Sequence, residues 1–143
     1  MYGMDLVNAI RTEQAEPPDG IKTLGLDTTH HWITDLSPGR VVFKWTVDPA
    51  YFNLEGAVIC SWTTAVGDQA LFLASNTLCA QGEGTRMAQF SLENLSNITH
   101  GDLTITGLID RRVGDRMWGT CTFVDSDGNL AARMNAQLDI ITD

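Results

Sequence analysis

Apolar residues along this chain follow a helical period in one segment and a period near two in the segments after it. Between residues 59 and 78, Trp62, Val66 and Leu73 recur at helical spacings. This pattern predicts one long helix. Because small alanines and further apolar residues occupy the adjoining faces, we expect the helix to be buried on most of its sides.

The segments after residue 86 alternate between apolar and polar positions, which is typical of strands with one buried face. We predict four strands there, at residues 87–95, 103–109, 117–124 and 131–141. The turns between them are short, and hairpin connections of that length join antiparallel neighbours. The second half of the chain therefore predicts an antiparallel sheet.

The first third of the chain predicts a short helix and a hairpin. Residues 4–12 place apolar positions near a helical period, and a following Pro-Pro pair ends that helix. We predict extended chain over residues 22–34, a turn at 37–39 and a β-branched, aromatic strand at 41–47, with the two extended segments paired. The fold class is then α+β: one long central helix wrapped by a curved antiparallel sheet of about six strands.

Length and charge restrict the classes of function. The 143 residues fit one domain, 1–143, with a short N-terminal helix before about residue 20. The net charge of −9 repels nucleic acid and anionic membranes, so we expect neither as a partner. Three cysteines without a CxxC pair, no leader-like N-terminus and no apolar run of membrane-spanning length favour a cytoplasmic location.

One acidic residue stands out from its surroundings. Asp68 is the only Asp, Glu, Lys, Arg or His between Glu55 and Glu83, and it lies inside the long apolar segment. Burying a carboxylate is costly unless hydrogen bonds compensate. Asp68 is therefore either satisfied by Thr64 or by the backbone of a neighbouring chain, or retained for chemistry.

The residues at the start of the predicted helix carry a resemblance to a known family. Asn53, Gly56, Trp62 and Asp68 fit a pattern of Asn, two residues, Gly, two residues, His-Gly-Gly, often a Trp, and an Asp seven residues beyond the second Gly. In this the chain resembles the hotdog-fold acyl-CoA thioesterases of the PaaI-like branch. The resemblance extends over roughly residues 24–141, nearly the whole chain.

Three positions depart from that family pattern. Ile59 stands where the family has His, and Cys60-Ser61 replaces the Gly-Gly pair. The polar Ser or Thr that often begins the next strand falls near Thr85 or Met87. The loss of the His removes a polar group and leaves the ability to hydrolyse a substrate open.

The resemblance implies a division of roles among three residues. Asp68 would act as nucleophile or general base, and the backbone N–H of Ser61 would polarise the thioester carbonyl at the helix N-terminus. Asn53 would help to place water or substrate, or else only cap a turn. Cys60 or Ser61 could also be a nucleophile, but that role requires a nearby His, so a structural role is the alternative.

The expected substrate is an acyl-CoA or related thioester, with coenzyme A as part of the substrate and no metal or redox cofactor. The acyl group would lie beside Trp62, Phe72 and Met87. Arg111 and Arg112 would hold the coenzyme A phosphates, or form an ordinary solvated hairpin neutralised by neighbouring aspartates. The residues expected to contact substrate are Gly56, Ile59, Cys60, Trp62, Phe72, Thr85, Met87, Arg111 and Arg112.

Three functions remain as hypotheses. The first is hydrolysis of an acyl-CoA-type thioester, and the second is a non-catalytic acyl or acyl-CoA binding module that has kept the fold and lost turnover. A related dehydration is the third, although that chemistry normally uses a His-acid pair and the helix carries no His. The resemblance also implies self-association as a dimer, or as a tetramer of two dimers, with active sites at the subunit junction.

Overall fold

The computed structural model describes residues 1–142 and contains one long helix, two short helices and six strands. In chain order the elements are α1 Gly3–Arg11, α2 Asp19–Thr23, β1 Ile33–Ser37, β2 Arg40–Thr46, α3 Cys60–Asn76, β3 Glu83–Asn94, β4 Asp102–Val113, β5 Arg116–Val124 and β6 Leu130–Thr142. Two single 3₁₀ turns lie at Leu26–Thr28 and Pro49–Tyr51. The predicted α+β class and the long central helix are confirmed.

The six strands form one antiparallel sheet in the order β1-β2-β4-β5-β6-β3. Because β3 returns to the far side of β6, it is the last strand of the sheet. It pairs with β6 along nearly its whole length, and its other edge has no partner within residues 1–142. The register of β3 shifts by one residue at Ala88, which is a β-bulge.

Helix α3 lies across one face of this sheet and contacts five of its six strands, β2 to β6. The approach is close because a glycine of the sheet faces the helix and a glycine of the helix faces the sheet. A Cβ at Gly107 of β4 would lie 2.8 Å from the carbonyl oxygen of Ala70, and one at Gly67 of α3 would lie 2.8 Å from Met134 Sδ. The buried core between the layers includes Val66, Leu71, Ile105, Met117 and Phe123.

The expectation of extended chain over residues 22–34 is wrong. That segment holds the end of α2, a left-handed Gly25 and a 3₁₀ turn, and only its last residues enter β1. Ile21 and Leu26 are both buried, so this segment packs its apolar residues as short turns onto the core. The hairpin itself is confirmed, but its first strand is Ile33–Ser37.

The remaining boundaries differ from prediction by a few residues. Helix α3 ends at Asn76, where residue 78 was expected, and β3 begins at Glu83, before the expected residue 87. Within residues 1–142, the helices are all too short or too polar to cross a lipid bilayer.

Candidate active site

A groove of about 650 Å³ separates α3 from the edge strand β3. Its lining residues come from one face of the helix and from the middle of the strand: Cys60, Ser61, Thr64, Ala65 and Asp68, then Met87, Ala88 and Phe90. The helical residues recur at spacings of three and four, so they share one face of α3. That face is uncovered because no strand within residues 1–142 follows β3 in the sheet.

The bulge in β3 determines which side chains form the outer wall of the groove. Met87 and Phe90 are three residues apart, and in a regular strand they would face opposite sides of the sheet. The extra residue at Ala88 restores their common direction. Phe90 is 51% exposed, so this wall is an apolar surface that the chain itself leaves partly uncovered.

Asp68 lies in the groove, and no hydrogen bond from residues 1–142 offsets the cost of burying its carboxylate. Its carboxylate accepts no hydrogen bond from residues 1–142, and burial is the one cause that raises the pKa of Asp68. The neighbouring Thr64 hydroxyl donates to the carbonyl of Cys60 at 2.9 Å, so it does not satisfy Asp68. The expectation that Thr64 satisfies this carboxylate is therefore wrong.

The N-terminus of α3 opens at the same groove. Ile59 is the N-cap residue and supplies no side-chain cap, and the first turn carries no acidic residue. The earliest N–H groups of the helix with a backbone acceptor are those of Trp62 and Thr63, which bond to Ile59, so the N–H groups of Cys60 and Ser61 have no backbone acceptor within residues 1–142. Unpaired N–H groups and the helix dipole give this end a partial positive charge.

Cys60 marks the beginning of the groove. It is an exposed free thiol, and the Asn94 side-chain amide donates to its Sγ at 3.4 Å. Because Asn94 is the last residue of β3, this contact joins the end of the edge strand to the start of the helix.

Asn53 lies in the loop before the helix and acts as a turn cap. Its side-chain oxygen accepts the N–H groups of Glu55 and Ala57, at 2.9 and 3.2 Å. Gly56, between those two residues, has a φ of 77° that favours glycine. Asn53 does not line the groove; it lines a smaller cavity beside it.

Several residues expected to contact substrate take part in the core instead. Trp62 is 2% exposed, stacks on Trp45 with ring centroids 4.2 Å apart, and donates its Nε1–H to the carbonyl of Leu24. Thr85 is buried and shares a 2.7 Å hydrogen bond with Ser75. Of the nine expected contact residues, Cys60 and Met87 line the groove; Gly56, Ile59, Trp62, Phe72, Thr85, Arg111 and Arg112 do not.

The two arginines of the β4–β5 hairpin are engaged with their own surroundings. The Arg111 guanidinium lies 4.1 Å from the centre of the Trp118 ring. Arg112 lies 3.4 Å from a carboxylate oxygen of Glu83 and donates to the carbonyl of Gly114. A metal site is not apparent either, since residues 1–142 contain no group of three or more His, Cys, Asp or Glu placed to hold an ion.

Four residues that line the groove were not predicted from the sequence. Thr64 and Ala65 could have been found from their helical spacing to Ser61 and Asp68. Ala88 and Phe90 carry no comparable signal, because their place in the groove depends on the bulge and on β3 being an edge strand.

The architecture of this chain is similar to that of known protein structures. Neither a family model nor a curated protein matches the sequence. Solved structures do match: the PaaI protein of Escherichia coli, from the phenylacetic acid degradation operon, superimposes with a TM-score of 0.80 at 18% identity, over 96% of this chain and 95% of that one. The chain has the hotdog fold.

Two further solved structures are similar to this chain. A thioesterase of Haemophilus influenzae matches with a TM-score of 0.79 at 12% identity, over 95% of this chain and 90% of its own. A Streptococcus mutans protein bound to acetyl CoA matches with a TM-score of 0.71 at 16% identity, over 78% and 88% of the two chains. At such identities the likeness shows the fold, and the function has to be argued from the groove.

Proposed function

We propose that this protein hydrolyses acyl-CoA-type thioesters in the groove between α3 and β3. The observation that supports this most is the carboxylate of Asp68, which is partly buried in an apolar groove without a hydrogen-bond partner within residues 1–142. An uncompensated acid in a cleft is destabilising and is a common feature of catalytic sites. The thioesterase among the structural neighbours is consistent with this chemistry.

In the proposed reaction Asp68 acts as general base or nucleophile. As a base it takes a proton from the water that attacks the thioester carbonyl, and its raised pKa makes it a stronger base than an exposed aspartate. The N–H of Ser61, at the open helix N-terminus, donates to the oxyanion that develops on the carbonyl oxygen. The carrier thiol is the leaving group.

One chain alone does not bring these two groups to the same carbonyl. Ser61 and Asp68 are seven residues apart, which is about 10 Å along a helix axis. Catalytic groups need to lie within about 3 Å of the reacting atoms. A second copy paired antiparallel along the free edge of β3 would bring Asp68 of one copy towards Ser61 of the other, so we propose a dimer, or a tetramer of two dimers, as the active form.

The test of this function is release of free thiol from a panel of short, aromatic and long acyl-CoAs. We expect Asp68→Asn to lower kcat by about 10²- to 10⁴-fold, since the base is lost while the groove keeps its shape. The matched control is Asp127→Asn, which makes the same change at an exposed turn. Turnover by Asp68→Asn at the rate of the unmodified protein would show that Asp68 is not the catalytic group.

The second candidate function is a non-catalytic acyl-CoA binding module. Ile59 supplies no polar group where the related enzymes have His, and the Asn53 side-chain oxygen is already occupied by the turn. The Streptococcus mutans neighbour was solved with acetyl CoA bound. Saturable binding of acyl-CoA with no thiol released across the whole panel would favour this module over the enzyme.

A further inference from the structure

The face of the sheet that points away from α3 has no covering helix within residues 1–142, and we call it the outer face. Helices α1 and α2 pack against α3 and β1 and bury Val7, Ile10 and Ile21 in the core on the other side. Side chains along β5 and β6 alternate between the core and the outer face. The outer set is Arg116, Trp118, Thr120 and Thr122 of β5, with Arg133, Asn135, Gln137 and Asp139 of β6.

Trp118 lies where two open depressions of the outer face meet. Their volumes are about 560 and 570 Å³, and Trp118 lines both of them. Exposed apolar side chains line the same depressions: Phe90 the first, and Val113 and Ile141 the second. A contiguous set of exposed apolar side chains around a tryptophan is typical of a protein interface.

The side chains beside Trp118 are mostly uncharged amides and hydroxyls. The pairing of β3, β6 and β5 places Gln89 and Gln137 in one cross-strand row with Trp118, and Ser91, Asn135 and Thr120 in the next row. Asn135 is exposed, and its side-chain oxygen accepts the Thr120 hydroxyl at 3.3 Å, which leaves its amide nitrogen as a donor. Amides and hydroxyls both donate and accept, so such a surface can be complementary to itself.

The charges of the outer face cancel, although the chain as a whole carries −9. Arg133 lies 2.9 Å from Glu93, Arg116 lies 3.2 Å from Asp139, and Arg111 stacks on Trp118. In and around the two depressions, four arginines stand with four acids: Arg86, Arg111, Arg116 and Arg133 with Glu93, Asp110, Asp115 and Asp139. The whole net charge therefore belongs to the rest of the chain. Two copies repel each other through those other surfaces, and the outer face is free of that repulsion.

We propose that the outer face binds the outer face of a second copy of this chain across a twofold axis, with Trp118 near the centre of the interface. A twofold interface requires a surface that is complementary to itself, and the neutral amide and hydroxyl rows around Trp118 meet that requirement. This pairing leaves α3 and its groove on the outside of the assembly, and it leaves the edge of β3 free. The inference does not depend on thioester hydrolysis.

Sedimentation of an Asn135→Glu variant tests the proposal. The substituted side chain is exposed in a single chain, so folding should be unaffected, whereas in the paired face an uncompensated carboxylate would be buried at high cost. We expect the mass of the particle to be halved, from tetramer to dimer, or from dimer to monomer if the β3 edges do not pair. Gln89→Glu, at an exposed position one strand further, should have the same effect.

Tryptophan fluorescence locates the interface independently of mass. Trp32, Trp45 and Trp62 are each at most 5% exposed, and Trp118 is the one tryptophan that is only half-buried in the single chain. Acrylamide, a neutral quencher, should therefore quench the assembled protein weakly and the Asn135→Glu variant more strongly. The matched control is Asn129→Glu, the same change at the exposed β5–β6 turn, which should alter neither the mass nor the quenching.

Three outcomes would overturn the proposal. One is an unmodified protein that sediments as a monomer. Another is an assembly whose mass and acrylamide quenching are unchanged by both Asn135→Glu and Gln89→Glu, which would leave the outer face free for a different partner. The third is halving of the mass by Asn76→Glu on α3 and not by Asn135→Glu, which would show that copies pair through their helices. Failure of hydrolysis alone would change none of these results.

Discussion

Asp68 shows how far a single residue could be interpreted from sequence. Its isolation among apolar residues marked it as unusual, and the structure places it in a groove next to an open helix N-terminus. Whether it was satisfied could not be predicted, because that depends on the direction of the Thr64 hydroxyl. A threonine in a helix can bond either to the carbonyl one turn earlier or to another group in reach.

Because the pKa of Asp68 is raised, replacing Asp68 with an uncharged residue should increase the free energy of unfolding by an amount that depends on pH. Burial raises the pKa in the folded state above its value in the unfolded chain, about 3.9, so ionisation favours unfolding. The protonated form's contribution to stability is fully present below the unfolded pKa and is lost as pH rises through the folded pKa. We expect Asp68→Asn to raise the free energy of unfolding at pH 8, and the gain to shrink as pH is lowered towards about 4.

Urea unfolding of both proteins across this pH range measures the effect. Asp127→Asn, at an exposed turn, should show no comparable change. A gain for Asp68→Asn that is independent of pH, or a loss at pH 8, would contradict the assignment of Asp68 as a partly buried acid without a hydrogen-bond partner in residues 1–142.

Two substitutions at Ser61 should distinguish a catalytic role of its backbone N–H from a role of its side-chain hydroxyl. If the N–H is the catalytic group, Ser61→Ala should keep turnover, because alanine retains the N–H. Ser61→Pro should lower kcat by about 10²- to 10³-fold, the usual effect of losing one oxyanion donor. Proline is tolerated in the first helical turn, where this N–H has no backbone acceptor. Thiol release measures both variants, and loss of activity in Ser61→Ala would instead identify the hydroxyl as the reacting group.

At the level of elements, hydrophobic period predicted the long helix and the four later strands to within a few residues. It could not predict the bulge at Ala88, because one extra residue in a strand leaves no mark on composition. It was also wrong over residues 22–34, where tertiary packing of Ile21 and Leu26 favours short turns over extended chain. The groove depends on the bulge, so its outer wall was the least predictable part of the candidate site.

The close approach of α3 to β4 predicts a destabilising substitution. A Cβ at Gly107 would lie 2.8 Å from the carbonyl oxygen of Ala70, and a helix backbone oxygen has no rotamer by which to move away. We expect Gly107→Ala to lower the free energy of unfolding by about 1–3 kcal/mol. The control is Gly84→Ala in β3, where the nearest atom, Ile141 Cγ1, lies at an ordinary 3.6 Å.

Urea unfolding at neutral pH compares the two glycine variants. Gly84→Ala should lie close to the unmodified protein. If Gly107→Ala matches it, the helix is not held against the sheet as closely as the structure indicates.

At the level of the whole molecule, the fold could be predicted and the assembly could not. The change from a helical to an alternating hydrophobic period predicts a helix packed on a sheet. The position of β3 at the edge depends on the order of the strands in the sheet, and the hydrophobic pattern does not encode that order. Two large apolar side chains are exposed at this side of the sheet, Phe90 of β3 and Ile141 of the adjacent β6. An unpaired edge with exposed apolar neighbours supports the proposed pairing of two copies.

Subunit complementation tests whether the active site is shared between two copies. Asp68→Asn and Ser61→Pro should each be inactive alone, since every site then lacks either the base or the oxyanion donor. When the two are unfolded together, refolded and mixed in equal amounts, half of the dimers contain one chain of each kind. In such a dimer the Ser61 N–H of the first variant meets the Asp68 carboxylate of the second, so one site of two is intact, and about a quarter of the original activity should return.

The matched control for complementation mixes two separately folded variants without a refolding step, in which exchange of subunits is slow and little activity should return. Sedimentation of the refolded mixture establishes that the chains are paired. If paired chains recover no activity although Asp68→Asn and Ser61→Pro are each inactive alone, the two groups act within one chain. The roughly 10 Å between them along α3 would then have to be bridged by the substrate, and the proposed exchange of groups across the β3 edge would be wrong.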